Sequence, residues 1–310
     1  MTKVAWVFPG QGSQSVGMGR ELYDNVKSAK AVFEQVDKAL GFPISKLCFE
    51  GPEDELRQTI NAQPALVTAA FACLEAAREI SRDKLPAPAF LAGHSLGEYT
   101  ALAVAGVFDF STAARLACER GRLMHEAGQR RPGAMAAIIA LDEVKVAEVC
   151  KQSDTVIANV NCPGQIVISG PAENITKAME MATAAGASRA IPLQVSGAFH
   201  SPLMQPAVEG MIKYLDATTF RMPSIPVIGN VTGTPLASAE AVRTELCNQL
   251  TSPVQWQRTI EYMVNAGVTT FIEIGPGKVL TGLIKRINKE VATQNIGDLE
   301  AVRNLGNPSP

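Results

Sequence analysis

The sequence predicts an α/β protein whose larger core of strands and helices carries an inserted β-α-β-β-α-β unit. Three observations predict it. Residues 4–8 form a short apolar run that ends at Pro9-Gly10 and feeds a glycine-rich loop reaching Gly19, the pattern of a buried strand opening an α/β core. Residues 134–195 then read strand, helix, strand, strand, helix, strand. Strand signals return afterwards, at 227–229 and 269–274, so the unit interrupts a larger domain.

The stretch 63–80 is apolar nearly all round (Ala65, Leu66, Val67, Ala69, Ala70, Phe71, Cys73, Leu74), which marks a helix buried on most sides. Residues 89–92 read as a central strand, 99–105 as an apolar helix and 111–127 as an amphipathic one. In the inserted unit the strands fall at 134–140, 155–160, 165–169 and 188–195, and the helices at 142–151 and 172–185. Pro163-Gly164 supplies the turn between the two middle strands, and Gly170-Pro171 breaks the chain before the second helix. This is the element order of a ferredoxin-like unit. The expected division is a small subdomain over 133–196 and a core over 1–132 and 197–310, with a cleft between them as the natural place for a site. The end of the chain after Gly297 reads as a loose tail.

A chain of 310 residues buries on the order of 75% of the surface its unfolded form exposes. With 46% hydrophobic and 19% charged residues its composition is that of a globular protein. A net charge of -2 argues against nucleic acid as a partner, because phosphate neutralisation needs a basic excess. The N-terminal apolar run is too short for a signal peptide, and no stretch of about 18 apolar residues suggests a membrane span. The six cysteines form no CxxC pair, so reduced thiols and a cytoplasmic location are expected. Asn174 and Asn230 head glycosylation-type triplets, read as chance in a chain without an export signal.

Gly93-His94-Ser95-Leu96-Gly97 matches G-x-S-x-G between a predicted strand and a predicted helix, the context that motif requires. Its glycines permit a sharp turn that exposes a serine hydroxyl above a helix N-terminus. A serine nucleophile needs a base, and the chain has three histidines. His94 is pinned beside the serine and points elsewhere; His125, near a helix end, reads as a surface or dipole partner. His200, in a loop after the last strand of the inserted unit, is the best base on offer. None of Asp109, Asp142 or Asp154 sits where a third triad member should, and Asp142 looks like a helix cap. A backbone carbonyl or an amide are the remaining candidates to orient the imidazole.

On the helix over 111–127, residue 120 shares the apolar face with Ala113, Leu116, Ala117 and Met124, while Arg115, Glu119, Arg122 and Glu126 lie opposite. Arg120 is therefore turned inward, and a buried guanidinium needs an anion. Two readings stand: an ion pair, with Glu98 as partner, or a fork that binds a substrate carboxylate. The loop from Gly10 to Gln14 lacks the spacing and lysine of a phosphate cradle, but its N–H groups suit an oxyanion hole. No histidine pair supports a metal site.

These residues resemble the malonyl-CoA:acyl carrier protein transacylases of fatty acid synthesis, kin to the acyltransferase domains of polyketide synthases. The resemblance runs nearly end to end: FPGQGSQ at 8–14, QPAL at 63–66, GHSLGE at 93–98, ERGRLM around Arg120, GAFHSPLM at 197–204, Gln249-Leu250 with PVQW at 253–256, and EIGPGKVL at 273–280. It implies an α/β-hydrolase-like core with a ferredoxin-like insertion. It further implies a Ser95–His200 dyad with the imidazole held by the carbonyl of Gln249, an oxyanion hole from the N–H groups of Gln11 and Leu96, and Arg120 on the malonyl carboxylate. Phe199 resembles the bulky residue of malonyl-selective relatives. The expected partners are malonyl-CoA and acyl carrier protein, with no metal or redox cofactor. Because carrier proteins are acidic, Lys285, Arg286 and Lys289 are the candidates to dock one. The rival readings are a serine esterase or thioesterase of similar fold, a trans-acting acyltransferase for a polyketide synthase, and a non-catalytic docking subunit; a hydrolase of neutral acyl chains has no use for Arg120, and an intact serine turn with a candidate base argues against the last.

Overall fold

A computed structural model of the chain describes residues 3–81 and 84–305. Strand β1 (Lys3–Phe8) leads through the glycine loop to four short helices, α1 (Arg20–Asn25), α2 (Lys27–Leu40), α3 (Ile44–Glu50) and α4 (Glu53–Arg57), and then to the long α5 (Thr59–Ser81). Next come β2 (Phe90–Gly93), α6 (Gly97–Val104) and α7 (Phe110–Arg130). The middle of the chain is β3 (Gly133–Ile139), α8 (Glu143–Ser153), β4 (Val156–Cys162), β5 (Gln165–Pro171), α9 (Ala172–Ala184) and β6 (Arg189–Pro192). It closes with α10 (Gln205–Asp216), β7 (Val227–Ile228), α11 (Ala239–Asn248), α12 (Trp256–Asn265), β8 (Val268–Ile274), α13 (Val279–Ile287), β9 (Ala292–Ile296) and α14 (Leu299–Arg303).

Two sheets result. The first is parallel throughout, in the order β7-β2-β1-β8-β9. Strands β1, β2 and β7 read as continuous apolar runs because both faces are covered, whereas the edge strand β9 is more polar. Along β1, Val4, Trp6 and Phe8 point into one core with α5 and α7, while Ala5 and Val7 point into another with α12 and α13. The second sheet is antiparallel, in the order β4-β5-β3-β6. Its period of two is equally plain: Ala136 and Ile138 pack under α8 and α9, and Met135 and Ala137 face the larger body.

The mixed α/β architecture is the one the sequence predicts, with strands of the insertion within two or three residues of their expected bounds. β6 is shorter than expected, ending at Pro192, although Leu193 still donates to the Met135 carbonyl at 2.9 Å. The loose tail expected after Gly297 is corrected as far as Leu305. Asp298 caps α14 by accepting from the Ala301 N–H at 2.7 Å, and Leu299, Val302 and Leu305 are buried in the core. Residues 306–310 lie outside the described residues.

The two sheets are joined by backbone. Val160 N–H donates to Val254 O at 2.9 Å and Val254 N–H to Ala158 O at 2.8 Å, so β4 carries a short parallel bridge to the segment before α12. The carboxyl ends of β1 and β2, adjacent in the parallel sheet, open toward the space between the sheets, where ligands of open α/β sheets bind.

Candidate active site

Ser95 sits on the turn from β2 into α6 with φ of 50°, in the left-handed region that a serine rarely adopts. The flanking glycines make this turn possible. A Cβ on Gly93 would lie 1.9 Å from the Gly97 carbonyl carbon, and one on Gly97 would lie 2.1 Å from Phe8 O. Asn230, just past β7, clasps the turn: its Oδ1 accepts from Ser95 N–H at 2.6 Å and its Nδ2 donates to Gly93 O at 2.7 Å. Strain of about 1–3 kcal/mol at such a residue persists only where its surroundings over-determine it.

His200 also has a positive φ, 56°, and is buried. Its Nε2 lies 2.9 Å from Ser95 Oγ, and its Nδ1 lies 2.8 Å from Gln249 O. A carbonyl only accepts, so Nδ1 carries the proton and Nε2 is left to accept from the serine hydroxyl. Burial and then the Arg120 guanidinium push the imidazole down to about 3, which leaves it neutral. The three aspartates are spent elsewhere: Asp109 caps α7, Asp142 caps α8, and Asp154 closes α8 in a left-handed conformation. His94 turns its Nε2 to Asn161 Oδ1 at 2.9 Å and packs against Trp256. His125 stays on α7 beside Gln129, at 3.0 Å.

Arg120 is 1% exposed, and its acceptors are all uncharged. Its Nη1 donates to Gln63 Oε1 at 2.8 Å, and its Nη2 donates to Gln249 Oε1 at 2.8 Å and to Ser95 Oγ at 3.1 Å. Tyr99 lies beneath it, with its ring centroid 5.7 Å from the guanidinium carbon. The pairing with Glu98 is not formed: Glu98 instead accepts from Asn230 and Gln249. On the other face of α7, Arg122 pairs with Glu119 and Glu126 in the solvated cluster expected there.

Ser95, His200 and Arg120 line a cavity of about 500 Å³ between the two sheets. Gln11 and Leu96 are on its wall, and neither backbone N–H has an acceptor among the described residues. Phe199 and Met124 narrow it, and Met135, Ala137 and Val167 form an apolar wall from the antiparallel sheet. The base of α13 (Val279, Leu280, Leu283) borders it. Lys285, Arg286 and Lys289 are exposed farther along, where Lys285 Nζ donates to Val291 O at 2.6 Å and Arg286 Nη1 to Gln165 Oε1 at 2.8 Å.

Sequence reasoning missed the polar groups behind the nucleophile. Asn230 was visible only as a chance triplet, although its place after Gly229 at a strand's end is where α/β sites draw residues. Gln63 stood in a quoted motif without a role, and Glu245 carried no local signal at all.

A serine on a strand-to-helix turn, an imidazole at hydrogen-bond distance and a parallel sheet beneath them define an acyl-transfer enzyme. The chain belongs to the acyl transferase domain family, which matches residues 5–305. It is 47% identical over 311 residues to the malonyl CoA-acyl carrier protein transacylase of Bacillus subtilis (strain 168), covering 97% of this chain and 96% of that protein. Its structure is similar to that of the acyl-carrier-protein S-malonyltransferase from Bartonella henselae, with a TM-score of 0.93, 44% identity and 97% of both chains covered. It is also similar to a malonyl-transacylase in complex with a type II polyketide synthase acyl-carrier protein (PlMCAT:AntF), with a TM-score of 0.94, 41% identity and 99% and 100% covered.

Proposed function

We propose that the chain moves a malonyl group from coenzyme A to the phosphopantetheine thiol of an acyl carrier protein through a malonyl ester on Ser95. One observation carries the choice of acyl group. Arg120, a buried cation satisfied only by neutral acceptors, opens onto the cavity 3.1 Å from the Ser95 hydroxyl. A charge so placed favours an acyl group that brings its own carboxylate, and forks onto it in a bidentate manner. A hydrolase of neutral chains gains nothing from it.

The chemistry needs two half-reactions. His200 Nε2 takes the Ser95 proton as Oγ attacks the thioester carbonyl, and the N–H groups of Gln11 and Leu96 receive the developing oxyanion. Collapse expels the coenzyme A thiolate, which takes the proton back from the imidazolium. The carrier protein's thiol then gives its proton to His200 and attacks the ester, and Ser95 is regenerated as that proton returns. Every step uses protein groups and the two thiols.

Phe199 restricts the space beside the acyl group, and one methyl in such a pocket is worth about 1–3 kcal/mol, which favours malonyl over methylmalonyl. Lys285 and Arg286 at the end of α13 and Lys289 just after it, past the cavity mouth, supply the positive surface for an acidic carrier. A cytoplasmic location fits the six free cysteines. Mass spectrometry of the intact protein after brief exposure to malonyl-, methylmalonyl- and acetyl-CoA tests the reading. A malonyl adduct on Ser95 supports it, and equal loading of acetyl overturns the role of Arg120.

A further inference from the structure

Behind Ser95 two carboxyl groups are buried together. Glu98, on α6, is 0% exposed and Glu245, on α11, is 4% exposed, and they accept from the adjacent backbone N–H groups of Asn230 and Val231. Glu98 Oε1 accepts from Asn230 N–H at 2.9 Å and from Asn230 Nδ2 at 3.1 Å, and its Oε2 accepts from Gln249 Nε2. Glu245 Oε1 accepts from Val231 N–H at 2.7 Å. The charged and titratable groups around Glu98 are Glu245, Arg120 and Tyr99. Burial and then the neighbouring Glu245 hold the Glu98 carboxyl well above the usual carboxylate range.

The two amides that Glu98 binds are the ones that hold the reacting groups. Asn230 Oδ1 takes the Ser95 N–H at 2.6 Å. Gln249 does more. Its Nε2 donates to Ser95 O at 2.9 Å, its Oε1 accepts from Arg120 at 2.8 Å, and its backbone carbonyl orients His200 at 2.8 Å. An amide has one donating and one accepting end. Glu98 and the Ser95 carbonyl offer Gln249 only acceptors and Arg120 offers it only donors, so the carboxyl is one of the groups that fix which way the amide points.

We infer that Glu98, backed by Glu245, is a positioning residue that holds the Gln249 amide and through it sets the direction of Arg120. The inference rests on the reading of Ser95 as nucleophile and Arg120 as carboxylate fork. Its consequence is specific. In Glu98→Gln the amide oxygen keeps the Asn230 contacts, but an NH₂ group replaces the acceptor facing Gln249. The Gln249 amide then turns over and presents its own NH₂ to the guanidinium. Arg120 loses an acceptor and moves, while Ser95 stays clasped by Asn230.

The test is the ratio of malonyl to acetyl loading on Ser95, read by intact mass, together with the KM for malonyl-CoA and the thermal midpoint. In Glu98→Gln the malonyl KM rises at least tenfold and the ratio falls at least tenfold, while acetyl loading stays within threefold of wild type. Equal losses for both acyl groups, or a wild-type ratio in the folded variant, overturn the inference. If Glu98→Gln does not fold, Glu98→Asp draws the carboxylate back from Gln249 and is expected to lower the ratio likewise; a wild-type ratio there overturns it. Ser95→Ala is run alongside. A malonyl adduct on that protein refutes the underlying reading, whereas its absence with an unchanged Glu98→Gln ratio refutes the positioning role alone.

Discussion

Arg120 Nη2 donates to Ser95 Oγ at 3.1 Å, so the guanidinium that faces the acyl cavity also touches the nucleophile. Recognition and attack are therefore set within one hydrogen-bonded cluster. Arg120→Ala removes a bidentate contact that only a dicarboxylate-derived acyl group makes. Malonyl loading falls steeply, and acetyl loading stays level or rises because no buried guanidinium is left unsatisfied by a neutral acyl chain. Loading rates for both acyl groups and a thermal midpoint check this; a uniform loss with a large drop in stability marks Arg120 as structural.

Removing the nucleophile or the base separates the histidines. Ser95→Ala abolishes loading with the fold intact. His200→Ala slows loading about 100-fold or more, the usual scale for a lost general base. His125→Ala, on the far side of α7, leaves the rate unchanged. Single-turnover loading from malonyl-CoA measures all three.

The depressed imidazole has two consequences in pH. His200 titrates at about 3 in the folded chain, against about 6.5 when unfolded. It remains a neutral base, so loading shows no acid limb from His200 as pH falls from about 8 to about 5. Stability behaves differently, because the unfolded chain binds a proton that the native state excludes. That contribution is complete above about pH 6.5 and is lost as pH falls from there toward about 3. Rates and thermal midpoints across this window test both, and an acid limb in loading centred on the ordinary imidazole value contradicts the first.

Gly97→Ala places a methyl 2.1 Å from Phe8 O, a backbone atom of the central strand that has nowhere to go. The expected loss is more than about 2 kcal/mol, in the upper part of the usual range for overpacking or beyond it. Urea denaturation measures it, and a loss below about 0.5 kcal/mol shows that the turn relaxes.

Charge reversal at Arg286 and Lys289 raises the KM for carrier protein several-fold and leaves loading from malonyl-CoA unchanged. The two half-reactions are assayed separately. Equal effects on both count against docking through α13.

What the sequence disclosed was local. The serine turn declared itself by its glycines, and Arg120 by falling on the apolar face of a helix with its neighbours' charges opposite. The insertion was legible because its strands alternate and its turns carry Pro-Gly and Gly-Pro. The orienting carbonyl of Gln249 came through family resemblance, since a main-chain group leaves no mark in composition. Asn230 and Glu245 stayed hidden, and Glu98 was legible only as a partner for Arg120, because their meaning lies in contacts such as that of Asn230 with Glu98, 132 residues apart, and no periodicity spans such a distance. The short helices α1, α3 and α4 have too few turns to show a face, whereas α2 buries Ala29, Val32, Phe33 and Val36 at helical spacing and went unread.

The backbone bridge between β4 and Val254 fastens the antiparallel sheet beside a catalytic cluster to which that sheet contributes none of the reacting groups. Met135, Ala137 and Val167 shape the cavity, whereas Ser95, His200 and Arg120 all come from the other body. Mutation in the small sheet thus alters which acyl groups fit without disturbing bond making and breaking. A lineage built on this plan explores new substrates at one wall while inheriting its chemistry unchanged from the other.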